Sequence, residues 1–195
     1  MRKFWTILIT MAAVLVGSIF TAETALAFSV TGIGQAQYLS EYGSSEIKSL
    51  DVDGEQVVFS RDGKGNLHLY DQYKNTKYMS FKETFKGMTE YSITRINFQD
   101  PKMTVWEISV STGHAGTNKN YWIVGKKNGQ WVTYVSRTSL ENMGGMRGYP
   151  TVYGRNENGN FVIYCADHKY PNAGPYLKMV MFWDQQAEWM GLKVI

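Results

Sequence analysis

The chain predicts an all-β protein: an antiparallel meander of hairpins that closes into a barrel or sandwich of about ten strands, with one or two short helical turns. Three observations point there. From Ile47 onward the chain is a succession of short apolar runs rich in Val, Ile, Thr, Tyr, Phe and Trp, divided by Gly, Asn, Asp and Lys. A turn-and-strand phrase recurs three times. No helical periodicity is sustained for about ten residues or more after the N-terminal segment. A small or partial β-propeller is the alternative, limited by the roughly 40 residues that each four-stranded blade consumes.

The strand runs, in order, are Ile47 to Val52, Gln56 to Ser60, Leu67 to Tyr70, Ser92 to Phe98, Met103 to Ser111, Tyr121 to Gly125, Trp131 to Ser136, Thr151 to Gly154, Phe161 to Ala166 and Tyr176 to Trp183, with a last strand over Gly191 to Ile195. Thr138-Ser139-Leu140-Glu141 fits a capping box, in which a Thr hydroxyl caps the first turn and Glu141 reaches back, and Gly144-Gly145 would stop the helix. Ser80 to Met88 predicts a second helical turn or two, ended by Gly87.

Ser60 to Asp71, SRDGKGNLHLYD, carries the recurring phrase. Val58 to Tyr70 and Val152 to Tyr164 align without a gap at five identities in thirteen positions, and Asn128 to Tyr134 is a third copy. Each copy is a Gly, an amide and a strand ending in Tyr. Asn-Gly tolerates the positive φ angles that a tight turn between twisted strands requires. Alternation then places Leu67 and Leu69, Trp131 and Thr133, and Phe161 and Ile163 on one side of their strands, opposite His68 and Tyr70, Val132 and Tyr134, and Val162 and Tyr164. Weaker hairpins around Gln99 to Lys102 and Asp184 to Ala187 complete a series with turns near 63, 101, 127, 157 and 185.

The N-terminus has the features of an export signal. Arg2 and Lys3 precede a mostly apolar stretch from Phe4 to Phe20, and Ala25-Leu26-Ala27 is a small-x-small cleavage site. The expected organisation is a signal peptide over 1–27, an arm or leader over 28–45, and one all-β domain over 46–195. Removing 27 of 195 residues leaves 168, with 18 basic and 16 acidic side chains and a net charge near +2. Lys126-Lys127 is the only adjacent basic pair after the signal, so no phosphate-tracking stripe exists and nucleic acid is excluded as an expected partner. No membrane span is expected once the signal is removed. With Cys165 as the single cysteine, no disulfide can staple the fold, and stability has to come from the core.

No catalytic signature stands out. The Asp-Gly-Asn character of the opening phrase invites a calcium loop. Read from Asp62, however, position 3 is Lys64 and the glycine falls at position 4. His68, His114 and His168 lack zinc spacing, and neither G-x-S-x-G nor S-x-x-K occurs. No metal and no cofactor are therefore expected. Cys165 and His168 would face opposite ways on one strand, which leaves His114, Cys165 and Asp167 as the residues a cell-envelope hydrolase could use.

The remaining signal is aromatic. Of 28 Phe, Trp and Tyr residues, 25 remain once Phe4, Trp5 and Phe20 are set aside. Most fill the core of a disulfide-free domain, while flat rings with polar tips also suit a glycan, peptide or small apolar ligand. The expected function is an exported, non-enzymatic binding module, with His114, Asn118, Tyr121, Trp122, Trp131 and Trp189 as ligand-binding candidates and the loop from Thr112 to Tyr121 as their setting. The alternatives are the envelope hydrolase and a structural or assembly component of the envelope.

Overall fold

The computed structural model describes residues 26–27, 29–39, 49–82, 89–112, 118–144, 150–167 and 175–195. They form three antiparallel sheets. Three short strands come first: β1 (Leu26–Ala27), β2 (Val30–Ile33) and β3 (Gln37–Leu39). The first meander is β4 (Leu50–Val52), β5 (Glu55–Arg61), β6 (Leu67–Asp71) and β7 (Lys77–Phe81). The second is β8 (Thr89–Gln99), β9 (Lys102–Thr112), β10 (Asn118–Lys127) and β11 (Gln130–Ser136), followed by helix α1 (Arg137–Asn142). The third is β12 (Pro150–Glu157), β13 (Asn160–Asp167), β14 (Pro175–Asp184) and β15 (Trp189–Val194). Within each meander neighbours in sequence are neighbours in space.

The second meander is the central layer. Alternation along its strands sends Tyr91, Ile93, Trp106, Ile108, Val110 and Val124 to one face, where they meet Val52, Val57, Phe59, Leu67, Leu69 and Phe81 of the first sheet. Ile96, Phe98, Val105, Tyr121 and Ile123 take the other face and meet Val152, Phe161, Ile163, Cys165, Met179 and Met181 of the third. A sheet covered on both faces should read as apolar on both, and the Trp131 to Tyr134 strand does so. The arrangement is sandwich-like and all-β. The sheets do not close into a barrel: among the described residues β4 and β7 are edges of the first sheet, β11 of the central and β12 of the third. Four-strand meanders packed face to face have the connectivity of propeller blades, and among the described residues they close no ring.

The arm contributes to the central sheet. Both β2 and β3 pair with β8, burying Val30 and Leu39 in opposite cores, while β1 pairs with β14 in the third sheet. Its Gly, Ser and Gln content hid these strands, because backbone pairing rather than an apolar run makes them. The chain between β1 and β2 ties two layers together, since Val30 N–H donates to Gly159 O at 2.7 Å and Gln99 N–H to Ser29 O at 2.9 Å.

Two local expectations change. The helical turn foreseen at Ser80 to Met88 begins inside β7, where Met79 and Phe81 face the core; residues 83–88 lie outside the described residues. In α1 the cap is Ser136, not Thr138: its hydroxyl accepts from Ser139 N–H at 3.3 Å while the Ser139 hydroxyl accepts from Ser136 N–H, a box two residues earlier than Thr138 to Glu141. Gly144, with φ of 84°, ends the helix as foreseen, donating to Glu141 O at 2.9 Å.

The recurring phrase separates into two geometries. Asn128-Gly129 and Asn158-Gly159 are two-residue turns with both residues at positive φ (50° and 78°, 51° and 83°). Asp53-Gly54 between β4 and β5 is their true equivalent, at 48° and 82°. Asp62 to Asn66 is a longer loop held by one carboxylate. Asp62 Oδ1 accepts the Lys64 N–H at 2.8 Å and the Asn66 N–H at 2.9 Å, while Oδ2 accepts from Asn66 Nδ2 at 3.1 Å. The Asp-Gly-Asn character is thereby spent on loop closure.

Candidate functional site

The tip of the β10–β11 hairpin collects aromatic rings, cations and amides at one end of the layers. Cross-strand pairing sets Lys126 opposite Trp131 and Lys127 opposite Gln130, so the two lysines leave on opposite faces of the central sheet. Lys126 Nζ stands 5.6 Å from the Trp131 ring centroid and donates to Glu55 of the first sheet. Lys127 Nζ stands 5.3 Å from the Trp189 ring of the third sheet and donates to Ala187 O at 3.4 Å. Each lysine therefore reaches across an inter-sheet seam and lies over a Trp, a cation–π geometry.

A groove opens at each seam. Toward the first sheet a cavity of about 450 Å³ is lined by Glu55, Lys77, Tyr78, Lys126, Gln130 and Trp131, among others. Tyr78 lies 5.9 Å from Trp131 at an interplanar angle of 30°, and Trp106 backs Trp131 from the core at 5.4 Å. Toward the third sheet a cavity of about 370 Å³ is lined by Pro101, Lys102, Lys127, Tyr134, Trp183 and Glu188, among others. There Tyr134 packs on Trp189 at 4.9 Å and donates its O–H to Lys126 O at 2.9 Å, and burial raises its phenol pKa to about 12. Both volumes fall in the range of small-ligand clefts. Among the residues that line the two grooves, Lys77, Lys102, Lys126 and Lys127 outnumber Glu55 and Glu188.

Of the residues singled out from sequence, Trp131 and Trp189 stand at this tip, one on each face. Trp122 packs edge-on to Phe81 at 5.4 Å in the seam between the first and central sheets. Tyr121 moves from ligand surface to core: it has no exposed surface, and its O–H donates to Glu107 Oε1 at 2.8 Å. Cys165 is likewise fully buried, facing the central sheet from β13. His114 lies outside the described residues, and only the backbone of Asn118 and Asp167 is described. Of these three residues only Cys165 has a described side chain, so the expected convergence of His114, Cys165 and Asp167 lies outside the described residues.

No family model, curated protein or solved structure matches this chain. The chemistry of the site rests on its own side chains. Among the described residues no group of three or more His, Cys, Asp and Glu gathers as a metal site, and no helix is long and apolar enough to cross a membrane.

Sequence reading missed Glu107. It sits on β9 among inward-facing residues, where burial raises its carboxyl pKa against the lowering effect of hydrogen bonds from the Tyr121 hydroxyl and the Gly154 N–H. The Tyr121 pKa is raised well above its usual value, first by burial and then by the neighbouring Glu107 charge. Because β12 is an edge strand, its Gly154 N–H is free to point at the central sheet, and Glu107 receives it. A lone Glu in an apolar strand gives no warning of this, since its partners come from other strands and another sheet.

Proposed function

We propose that the protein is an exported binding module of the cell envelope that takes a glycan bearing acid groups at the β10–β11 tip. The observation that carries this reading is the pair of Lys-over-Trp contacts, one at each flanking groove. Trp and Tyr rings offer flat apolar faces to the C–H side of a sugar, and Asn128, Gln130 and Gln185 supply amides for hydroxyls. Lys126 and Lys127 supply the charge that a carboxylate requires, in grooves open enough for a chain to run through. The hairpin is a rigid support, because a two-residue turn and paired strands fix where both rings lie. Export by removal of residues 1–27 accompanies this reading; it would take β1 away and leave the arm from Ser29 onward on β8.

Isothermal titration with a purified oligouronate tests it. Binding by the wild-type protein, weakened about tenfold or more by Trp131→Ala and reduced by added salt, is expected. Equal binding by the neutral oligosaccharide of the same length would remove the charge from the reading, and binding by an acidic peptide instead would replace the ligand class.

A further inference from the structure

The outer face of the first sheet, remote from the core seams, carries a hydrogen-bonded row of Asp62, His68 and Ser80. His68 Nε2 lies 2.9 Å from Asp62 Oδ2, and His68 Nδ1 lies 2.9 Å from Ser80 Oγ. His68 and Ser80 are directly opposite each other on β6 and β7, so their approach is set by strand register. Asp62 is anchored independently by the Lys64 N–H, the Asn66 N–H and the Asn66 amide. Partial burial pushes its pKa up, but hydrogen bonds from His68, Asn66 and the Lys64 backbone outweigh this and hold the carboxyl well below the usual range.

An ionised carboxylate only accepts. His68 Nε2 must therefore be the N–H that donates to it, and in the neutral ring Nδ1 is left with its lone pair facing the Ser80 hydroxyl. This is the logic of a nucleophile, a base and an orienting acid, recognised by geometry rather than by motif. Ser80 is open to solvent, the Asp62 side chain is 35% exposed, and the His68 side chain between them is 14% exposed and flanked edge-on by Tyr70 at 6.0 Å. No described strand pairs with the far side of β7, so alternate backbone N–H groups beside Ser80 point outward and can receive a developing oxyanion.

We propose that Ser80, His68 and Asp62 form an acyl-ester hydrolysis site, with Ser80 as nucleophile, His68 as general base and acid, and Asp62 as the positioning residue. The Ser80 oxygen adds to the ester carbonyl carbon while its proton passes to His68 Nδ1. Collapse of the adduct breaks the bond to the alcohol oxygen, which leaves with that proton. Water then adds to the acyl-serine with His68 again taking and returning the proton, releasing the acid and regenerating Ser80. The row lies on an open sheet face and lines neither of the two grooves at the hairpin tip, so the substrate class is an ester with a small acyl group on an accessible chain.

The test is covalent labelling of the folded full chain with an alkyl fluorophosphonate, read by intact mass and peptide mapping, together with p-nitrophenyl acetate hydrolysis. One adduct on Ser80 is expected. Ser80→Ala should abolish it, and His68→Ala should slow both labelling and turnover by about 10²-fold or more. Because Ser80 is exposed on a strand, Ser80→Ala keeps the fold, which a thermal melt within about 1 °C of wild type would verify. No adduct on the wild-type protein, an adduct on another residue, or unchanged ester hydrolysis in folded Ser80→Ala would overturn the assignment and leave the row as a strand-pairing contact.

Discussion

Gly154→Ala tests how tightly the third sheet is set against the central one. A Cβ built on Gly154 would lie 2.0 Å from Phe161 Cζ and 2.7 and 2.8 Å from its Cε atoms. Carbon atoms pack at about 3.5–4.0 Å, so the ring would have to retreat by roughly 1.5–2 Å. It has little room to do so, because Phe161 has no exposed surface and is T-shaped against Phe98 of the central sheet at 6.2 Å. Overpacking of this kind costs about 1–3 kcal/mol. At about 2–4 °C per kcal/mol for a domain of this size, the melting temperature should fall by about 2–12 °C. Thermal unfolding followed by circular dichroism measures it, and a double-mutant cycle assigns the cause. In a Phe161→Leu background the same Gly154→Ala change should cost close to nothing, giving a coupling of about 1–3 kcal/mol. A melting temperature within about 1 °C of wild type, or the same loss in both backgrounds, would refute the packing argument.

Two further outcomes follow from the structure and one from the sequence. Gly129→Ala meets nothing within 4 Å, so its cost comes only from the positive φ of 78°; denaturant unfolding should show a loss of about 1 kcal/mol, unrelieved by any change in neighbouring side chains. Glu107 should make the protein less stable as pH rises. Its folded pKa stands above the ordinary value of 4.5, so its contribution is fully present below that pH and is lost as the pH climbs through the folded pKa. Glu107→Gln, which keeps a neutral acceptor for Tyr121, should flatten that part of the pH–stability curve, and a curve unchanged by the substitution would contradict the burial argument. Intact-mass measurement of protein exported by its native host should find a chain beginning at Phe28; retention of residues 1–27 would remove the export signal from the account.

The strands of the second and third meanders were legible because aromatic and β-branched runs alternate with Asn-Gly turns whose backbone geometry few other residue pairs can adopt. What was hidden is instructive. The strand at Lys77–Phe81 holds only two inward side chains, Met79 and Phe81, too few to show a period before Gly87 suggests a helix stop. The arm strands at Val30–Ile33 and Gln37–Leu39 are made by pairing with β8, a partner more than fifty residues away. The layer number was not legible either: a strand apolar on both sides fits a lined barrel as well as a middle sheet. At the site, Trp131 and Trp189 could be named from composition, but their convergence with Lys126 and Lys127 depends on which seam each strand borders. Tyr121 reads as a ligand-surface residue in one dimension, and alternation along β10 turns it inward. His68 was judged by spacing to metal ligands, whereas its partners, Asp62 and Ser80, are assembled by loop closure and cross-strand register.

Ligand binding is assigned to the β10–β11 tip by the proposal above. An NMR titration of the mature protein with an oligouronate tests it most directly. Saturable shifts are expected, confined to Lys126 through Trp131, Tyr78, Trp183 and Trp189 and including both tip indole N–H signals. Shifts on the outer faces of the first or third sheet instead, or no shifts at millimolar ligand, would contradict it.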